Sequence, residues 1–417
     1  MIDTIGTVEQ CNLFLTNNTI SENTSNAAVY IFNASGGSFT DLQAVLESNV
    51  ITYNGANVLF DTPCTSFTLI ATNNNISNSL GAGNPGLIIG PNGIDTATIF
   101  IANNQINQNA ADGISLICTP CDQLTLTVTD NEISNNQGSG INQFTYPIIT
   151  NETVTITNNK ISGNLNIPDI DNAAGGISPL GFDNMTATIT GNSLSNNATG
   201  YAFGSSTYIG AIDVGGSGTV NVIVSNNTLG NTNFAFDFRG GYATTSNIFE
   251  AFNNTFSNNP GFSGLILNLF PTGSSGTIST TIEGNTAVSN SIGLDIEINP
   301  THLAYSFPTT ISDNVAHNNL GMAVNLNVQN GSITASVDNN TLYNNTASPS
   351  FQAATSSGSL CLEMSGNSCD TGYSLNKSGG TFSLAPCNAS AVNAGAFSFP
   401  GSPVTNVEFC PEANPCP

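Results

Sequence analysis

The chain has 417 residues, of which 3 are Lys or Arg and 27 are Asp or Glu, for a net charge of −24. So few cations cannot neutralise phosphates, which excludes nucleic acid and anionic membrane surfaces as expected partners. Hydrophobic residues make up 39% and charged residues 7%, so Asn, Ser, Thr and Gly must carry solubility, yet the chain is too apolar for a disordered polar tract.

No apolar run is long enough to cross a bilayer, so this segment is not expected to insert into a membrane. The start, MIDTIGTVEQC, lacks the basic region and apolar core of a signal peptide. The chain is therefore expected to be either cytosolic or a mature or excised portion of a secreted protein. The cysteines favour the second.

One phrase recurs along the chain. It is an Asn, an apolar residue two places on, and a second Asn or similar corner residue. Its anchors are Asn18, Asn49, Asn74, Asn104, Asn131, Asn159, Asn192, Asn227, Asn254, Asn285, Asn314 and Asn340, with a weaker copy at Asn367. Spacings of about 25 to 35 residues are the mark of a solenoid. Three places before each anchor the residue is always apolar, from Leu15 and Leu46 to Val337 and Met364. Two places after it stand Ile20, Ile51, Ile76, Ile106, Ile133, Ile161, Leu194, Leu229, Phe256, Ala287, Ala316, Leu342 and Cys369.

In chain order, the stretches before the anchors alternate with period two. They read TLTVT (125–129), TVTIT (153–157), ATIT (187–190), VNVIV (220–224), STTI (279–282), TTIS (309–312) and ITASV (333–337). This is strand patterning. The Asn-rich step then turns the chain, because Asn tolerates left-handed backbone and bonds locally. A second short strand follows, as in KIS (160–162), SLS (193–195) and TLG (228–230). After a Gly-containing loop comes a third: GIS (113–115), GIN (140–142), GIS (176–178), AID (211–213), GLD (293–295) and MAVN (322–325).

Three strands per repeat predict an all-β parallel β-helix over residues 1–385. About thirteen coils would make a rod about 60 Å long. Its interior would be stacked Ile, Val and Leu, thickened by Phe234, Phe236, Phe252 and Phe256. Variation in coil length is placed in loops at 142–152, 165–175, 198–210 and 270–276. A helical solenoid fails, because no stretch is amphipathic with period 3.6 and Gly, Asn and Thr oppose helices. Stacked Asn104, Asn131, Asn159, Asn192, Asn227 and Asn254 are expected to form a structural ladder, each side chain bonding to the next coil.

Nine cysteines are present. CTPC (118–121) lacks a second Cys or His pair at metal spacing and sits among turn residues, so disulfide use is favoured over a metal or redox site. The disulfide candidates are Cys118, Cys121, Cys361, Cys369, Cys387, Cys410 and Cys416, with no pairing assigned. Residues 386–417, rich in Pro and Cys, read as a cap or linker. No metal and no cofactor are expected.

With these repeats the chain resembles the right-handed parallel β-helix proteins of the pectate-lyase-like class over roughly residues 10–385. The end of the array, SLCLEMSGNSCDTGYSLNKSGGTFSLA (359–385), resembles the closing coils of large bacterial surface proteins of the autotransporter and polymorphic outer-membrane passenger type. FLTN (14–17) and FSNN (256–259) match their FxxN phrases, and GGI (175–177) stands where those proteins carry GGA. The resemblance implies a stalk or adhesive surface outside the cell, associated with an outer membrane, on a passenger fragment without its secretion barrel. The partners it implies are a host or surface glycan or protein, or further copies of the chain in an oligomer or filament.

The same class also includes polysaccharide lyases and glycosidases. The third strands offer an outward column of Ser115, Asn142, Ser178, Asp213, Asp237, Asn268, Asp295 and Asn325. Asp213 and Asp237 in adjacent coils would lie about 5 Å apart, the separation of a retaining glycosidase. Arg239 would share the face of Asp237, and Glu297 that of Asp295. The expected ligand surface is thus Asp213, Asp237, Asp295 and Glu297. The competing reading is a carbohydrate-active enzyme using Asp213, Asp237 and Arg239. Against it, the NTD, DD, GHG and RIK phrases of polygalacturonases are missing and bases are scarce. His302 and His317 stand alone, and His317 is expected to be exposed. TLTVT and TVTIT begin a flat Thr array of the ice-binding kind, which VNVIV, NIFEAF and STTIE break. The chain is read as a non-enzymatic surface protein.

Overall fold

In the computed structural model all residues are described except 1, 4–5, 25–26, 33–36, 82, 146–148, 165–176, 179–183, 198–200, 203–206, 209–211, 217–218, 233–235, 241–245, 262, 270–274, 300–304, 347–348, 371, 386–407 and 410–417. The described residues form strands and turns with no helix. The chain divides into two compact units, Met1–Gly215 and Gly216–Pro417.

Each unit is a stack of coils, and each coil has three sides. A long strand, such as Ile149–Thr157, carries the period-two pattern. A three-residue corner strand, Lys160–Ser162, follows. A return strand, such as Ile141–Thr145 or Ile292–Ile298, closes the turn. Like strands pair in parallel with like strands of the next coil. Val154 pairs with Leu126 and Ala187, and Ile161 with Ile133 and Leu194. The exception is a small antiparallel pair, Tyr201–Ala202 with Thr207–Tyr208, in the expected 198–210 loop.

The corner strand is set by backbone chirality. The residue before each anchor has left-handed φ, as at Asn17, Asn73, Asn103, Asn158 and Asn253. So does the residue four places after the anchor, as at Asn78, Asn135, Asn258 and Asn318. Non-Gly residues pay least in this region when they are Asn or Asp. Two such kinks flank the anchor and its three-residue corner strand and swing the chain from the long sheet to the return sheet. Where Gly takes the position, space is also short. A Cβ on Gly191, at φ +69°, would lie 2.5 Å from Asn158 Oδ1 in the coil below.

Within each unit the anchor asparagines stack. Asn159 donates its backbone N–H to Asn192 Oδ1 at 2.9 Å and its Nδ2 to the same oxygen at 3.0 Å. Its own Oδ1 accepts both donors of Asn131 at 3.0 Å. Nδ2 also reaches Val128 O at 2.9 Å in the coil before. Asn227, Asn254 and Asn285 repeat the bonds in the second unit. A second ladder runs five residues later through Asn109, Asn136, Asn164 and Asn197, and again through Asn259, Asn290, Asn319 and Asn345. Both ladders satisfy buried corner amides that no strand can reach.

The core lies inside each stack. The residue two places after the anchor is buried in every coil from Ile51 onward. Each such Ile or Leu contributes about 1.5–3 kcal/mol by leaving water. Phe236 and Phe256 are buried as expected, joined by Phe238 and Phe249, whose rings lie 5.0 Å apart. Phe252 departs from the expectation. It is half-buried, because period two from buried Ala251 turns it outward. Phe234 lies outside the described residues.

The described residues make up about ten turns rather than the thirteen expected. Residues 165–176, 198–200, 203–206 and 233–235 lie outside the described residues. CTPC, expected among turn residues, lies in extended backbone instead. It falls within one 16-residue strand, Ile114–Thr129, whose first part pairs in the return sheet and whose second part pairs in the long sheet. Of the 386–417 segment only Glu408–Phe409 is described, and it adds a parallel pair to Ser383–Leu384.

Candidate functional site

Two outward faces gather functional groups, one in each unit. In the second unit the return sheet sets Asp237 beside Ile266, Ile266 beside Asp295, and Asp295 beside Asn325. The neighbouring column runs Arg239, Asn268, Glu297 and Asn327. This corrects the expected outward column. Asn268 belongs with Arg239 and Glu297, and apolar Ile266 occupies its place in the aspartate column. Ile266 points outward yet is buried.

Asp295 accepts Asn325 Nδ2 at 2.8 Å and Ser263 Oγ at 3.4 Å. Burial pushes its carboxyl above the usual range, against those two bonds. Glu297 accepts Gln329 Nε2 at 2.6 Å. Its carboxyl is raised by burial and by the charge of Asp295. The two acids thus form a half-buried polar strip whose oxygens already hold amide donors. Backbone register places Asp237 and Arg239 on this sheet, but their side chains lie outside the described residues. Asp213, in the first unit, follows Ile212, which pairs with Ile177; its side chain too lies outside them.

In the first unit the outer face of the long sheet carries threonines. Thr125, Thr127 and Thr129 pair with Thr153, Thr155 and Thr157, and these with Thr186, Thr188 and Thr190. Rungs are about 4.8 Å apart, so nine hydroxyl–methyl groups form a regular, uncharged grid. Thr157 and Thr129 are hydrogen-bonded at 3.0 Å. The central column continues through Phe100, Ile70, Val45 and Phe14. Phe14 is 65% exposed and Ile70 and Phe100 are each 38% exposed. In the second unit the matching column reads Ile223, Glu250, Thr281 and Thr310, so the array is broken there.

The remaining candidates are scattered. Lys160 Nζ lies 3.3 Å from Glu132 Oε1, an exposed pair that contributes little. His317 is half-buried rather than exposed, because its ring stacks on Tyr343 with centroids 4.6 Å apart. His302 lies outside the described residues. Cys121 and Cys369, expected in disulfides, are buried thiols. They donate to Gln123 O at 3.3 Å and to Gly372 O at 2.9 Å. Each sits at an inward position of its coil, where the apolar column holds a small side chain. Cys361 is disulfide-bonded. The side chains of Cys118, Cys387, Cys410 and Cys416 lie outside the described residues. Among the described residues no group of three or more His, Cys, Asp or Glu could hold a metal. A hollow of about 150 Å³ opens at the first coil, lined by Leu13, Leu15, Ile20, Val29, Tyr30 and Ile31.

The coil geometry and the parallel register are those of a β-helix, and comparison with known families agrees. Residues 4–184 match the family model described as right handed beta helix region. No curated protein and no solved structure matches the chain. The β-helix fold accounts for the stacking of all the columns described above. It is compatible with both a structural protein and a pectate-lyase-like one, so the function rests on the faces themselves.

Proposed function

We propose that this β-helical chain works outside the cell as a structural and adhesive surface, and that it contacts a glycan or protein through its outer faces. The observation that carries the reading is the Thr grid on the first unit. It is an uncharged, regular patch on a chain of net charge −24, continued by the exposed apolar stripe of Phe14, Ile70 and Phe100. Such a face suits a neutral, repetitive ligand, for which hydroxyl and methyl groups at fixed spacing provide both hydrogen bonds and apolar contact. The resemblance of residues 359–385 to bacterial passenger proteins points the same way, and the outer-membrane association it implies is part of this proposal.

The test is a glycan panel read for both binding and release of reducing ends. Binding without release is expected, and Thr155→Lys should weaken it at least tenfold. Release of reducing ends would overturn the reading in favour of a carbohydrate-active enzyme. In that case Asp213, Asp237, Arg239 and the Asp295–Glu297 strip become the residues to substitute.

A further inference from the structure

Inside the first unit lies an acid that no outward face uses. Glu152 is on the long strand Ile149–Thr157, at the inward parity of Val154 and Ile156. It pairs with Leu124 of the coil before and Met185 of the coil after, and is 3% exposed. Gln143, on the return strand Ile141–Thr145, also points inward, next to Leu116. Its Nε2 donates to Glu152 Oε1. Two oxygens remain, Glu152 Oε2 and Gln143 Oε1. Both are fully buried and neither has a hydrogen-bond partner.

A buried carboxylate held by one amide would cost several kcal/mol, and Gln143 Oε1 would be stranded as well. One proton resolves both defects. We propose that Glu152 is carried in the folded chain as a neutral acid whose Oε2–H donates to Gln143 Oε1, closing a cyclic acid–amide pair that acts as a pH-sensitive staple between the long and return sheets. The pair spans the chain on either side of residues 146–148, so it ties the two sides of one coil together.

The surroundings leave the proton where the pair needs it. The buried inward side chains on the strands paired with that of Glu152 are Leu124 and Leu126 on one side and Met185 and Ala187 on the other, and the return sheet adds Ile141 and Leu116 beside Gln143. The described titratable group on the inward face of these strands is the Cys121 thiol. Asp122, Asp130, Glu132 and Lys160 sit on the outer surface. Asp112 binds Asn142 Nδ2 at 3.0 Å, on the opposite face of the return strand from Gln143. Burial pushes Glu152 from 4.5 to about 7, against the bond from Gln143.

The sign follows from that direction. Below pH 4.5 the acid is protonated both folded and unfolded, and the staple's stabilisation is complete. Between pH 4.5 and about 7 the unfolded chain releases the proton while the folded chain keeps it, so stability falls as pH rises. Above about 7 the loss is complete and amounts to roughly 300-fold in the unfolding equilibrium.

The experiment is a carboxyl ¹³C titration of the full chain labelled at glutamate. A glutamate titrating near pH 7 that disappears in Glu152→Gln is expected. The uncharged amide introduced by this substitution can replace both bonds, so the variant should fold and lose most of the wild type's fall in unfolding midpoint between pH 4.5 and 8. Hydrogen exchange across 141–157 should quicken in the wild type above pH 7 and not in the variant. If every glutamate of the wild type titrates below about pH 6, the proposal is overturned whatever the variant does. It is also overturned if Glu152→Gln keeps the wild type's pH slope.

Discussion

Replacing Asn159 with Ala removes one rung of the first ladder. Asn159 Oδ1 is the acceptor of the Asn131 backbone N–H, at 3.0 Å, and the side-chain amide donates to Asn192 and to Val128 O. Stranding a buried N–H costs about 1–3 kcal/mol, and each further hydrogen bond lost costs about 1 kcal/mol. The sum predicts a destabilisation of about 3–5 kcal/mol. Asn151→Ala, on the exposed end of the same long strand, should stay within about 0.5 kcal/mol. Urea unfolding of the two variants measures the difference. Native-state hydrogen exchange locates it, since the Asn131 amide should lose protection while amides several coils away keep theirs. A cost below about 1 kcal/mol for Asn159→Ala, or an Asn131 amide as protected as before, would refute the ladder's role.

The faces of a single strand should behave oppositely. Ile156→Ala, inward and buried, should cost about 2–5 kcal/mol in denaturant unfolding, while Thr155→Ala, outward, should change stability by less than about 0.5 kcal/mol. Gly191→Val should be destabilising by at least about 2 kcal/mol, because a branched side chain there meets both left-handed φ and Asn158 Oδ1, whereas Asn158→Gly should be close to neutral. A thiol reagent at pH 8 should modify half-buried Cys11 well before Cys64, whose thiol burial pushes up to about 12, with the nearby Cys121 and Asp41 adding to the shift. Equal rates would show that the first coils open freely.

Much of the fold was legible because the repeat is written twice, once in polarity and once in backbone chirality. Ile133, Ile161 and Leu194 could be aligned on Asn131, Asn159 and Asn192 without knowing where the loops went, and the register follows that alignment. The corner's second kink and second ladder were present in the same phrases, at Asn135 and Asn136, but a count anchored on the first Asn does not separate turning residue from stacking residue. Glu152 was legible in principle. Period two carried back from Ile156 and Val154 puts it inward, yet an acid after a Pro-containing stretch reads as loop. Asn268 went into the wrong column because a motif alignment cannot see a shift of two residues along a return strand, and such a shift keeps the side chain on the same face. Cys121 and Cys369 show the limit of cysteine counting. Both occupy inward positions where a small thiol packs as a hydrophobe.

The in-register parallel stack is tested most directly by spin labels at positions 14 and 188, introduced as unnatural amino acids so that the native cysteines are left alone. Both residues lie in one outward column of the first unit, six rungs apart. Stacking at the strand spacing predicts a single narrow distance distribution centred at about 29 Å. A broad distribution, or a centre displaced by more than about 10 Å, would contradict the coil register from which every face and ladder described above follows.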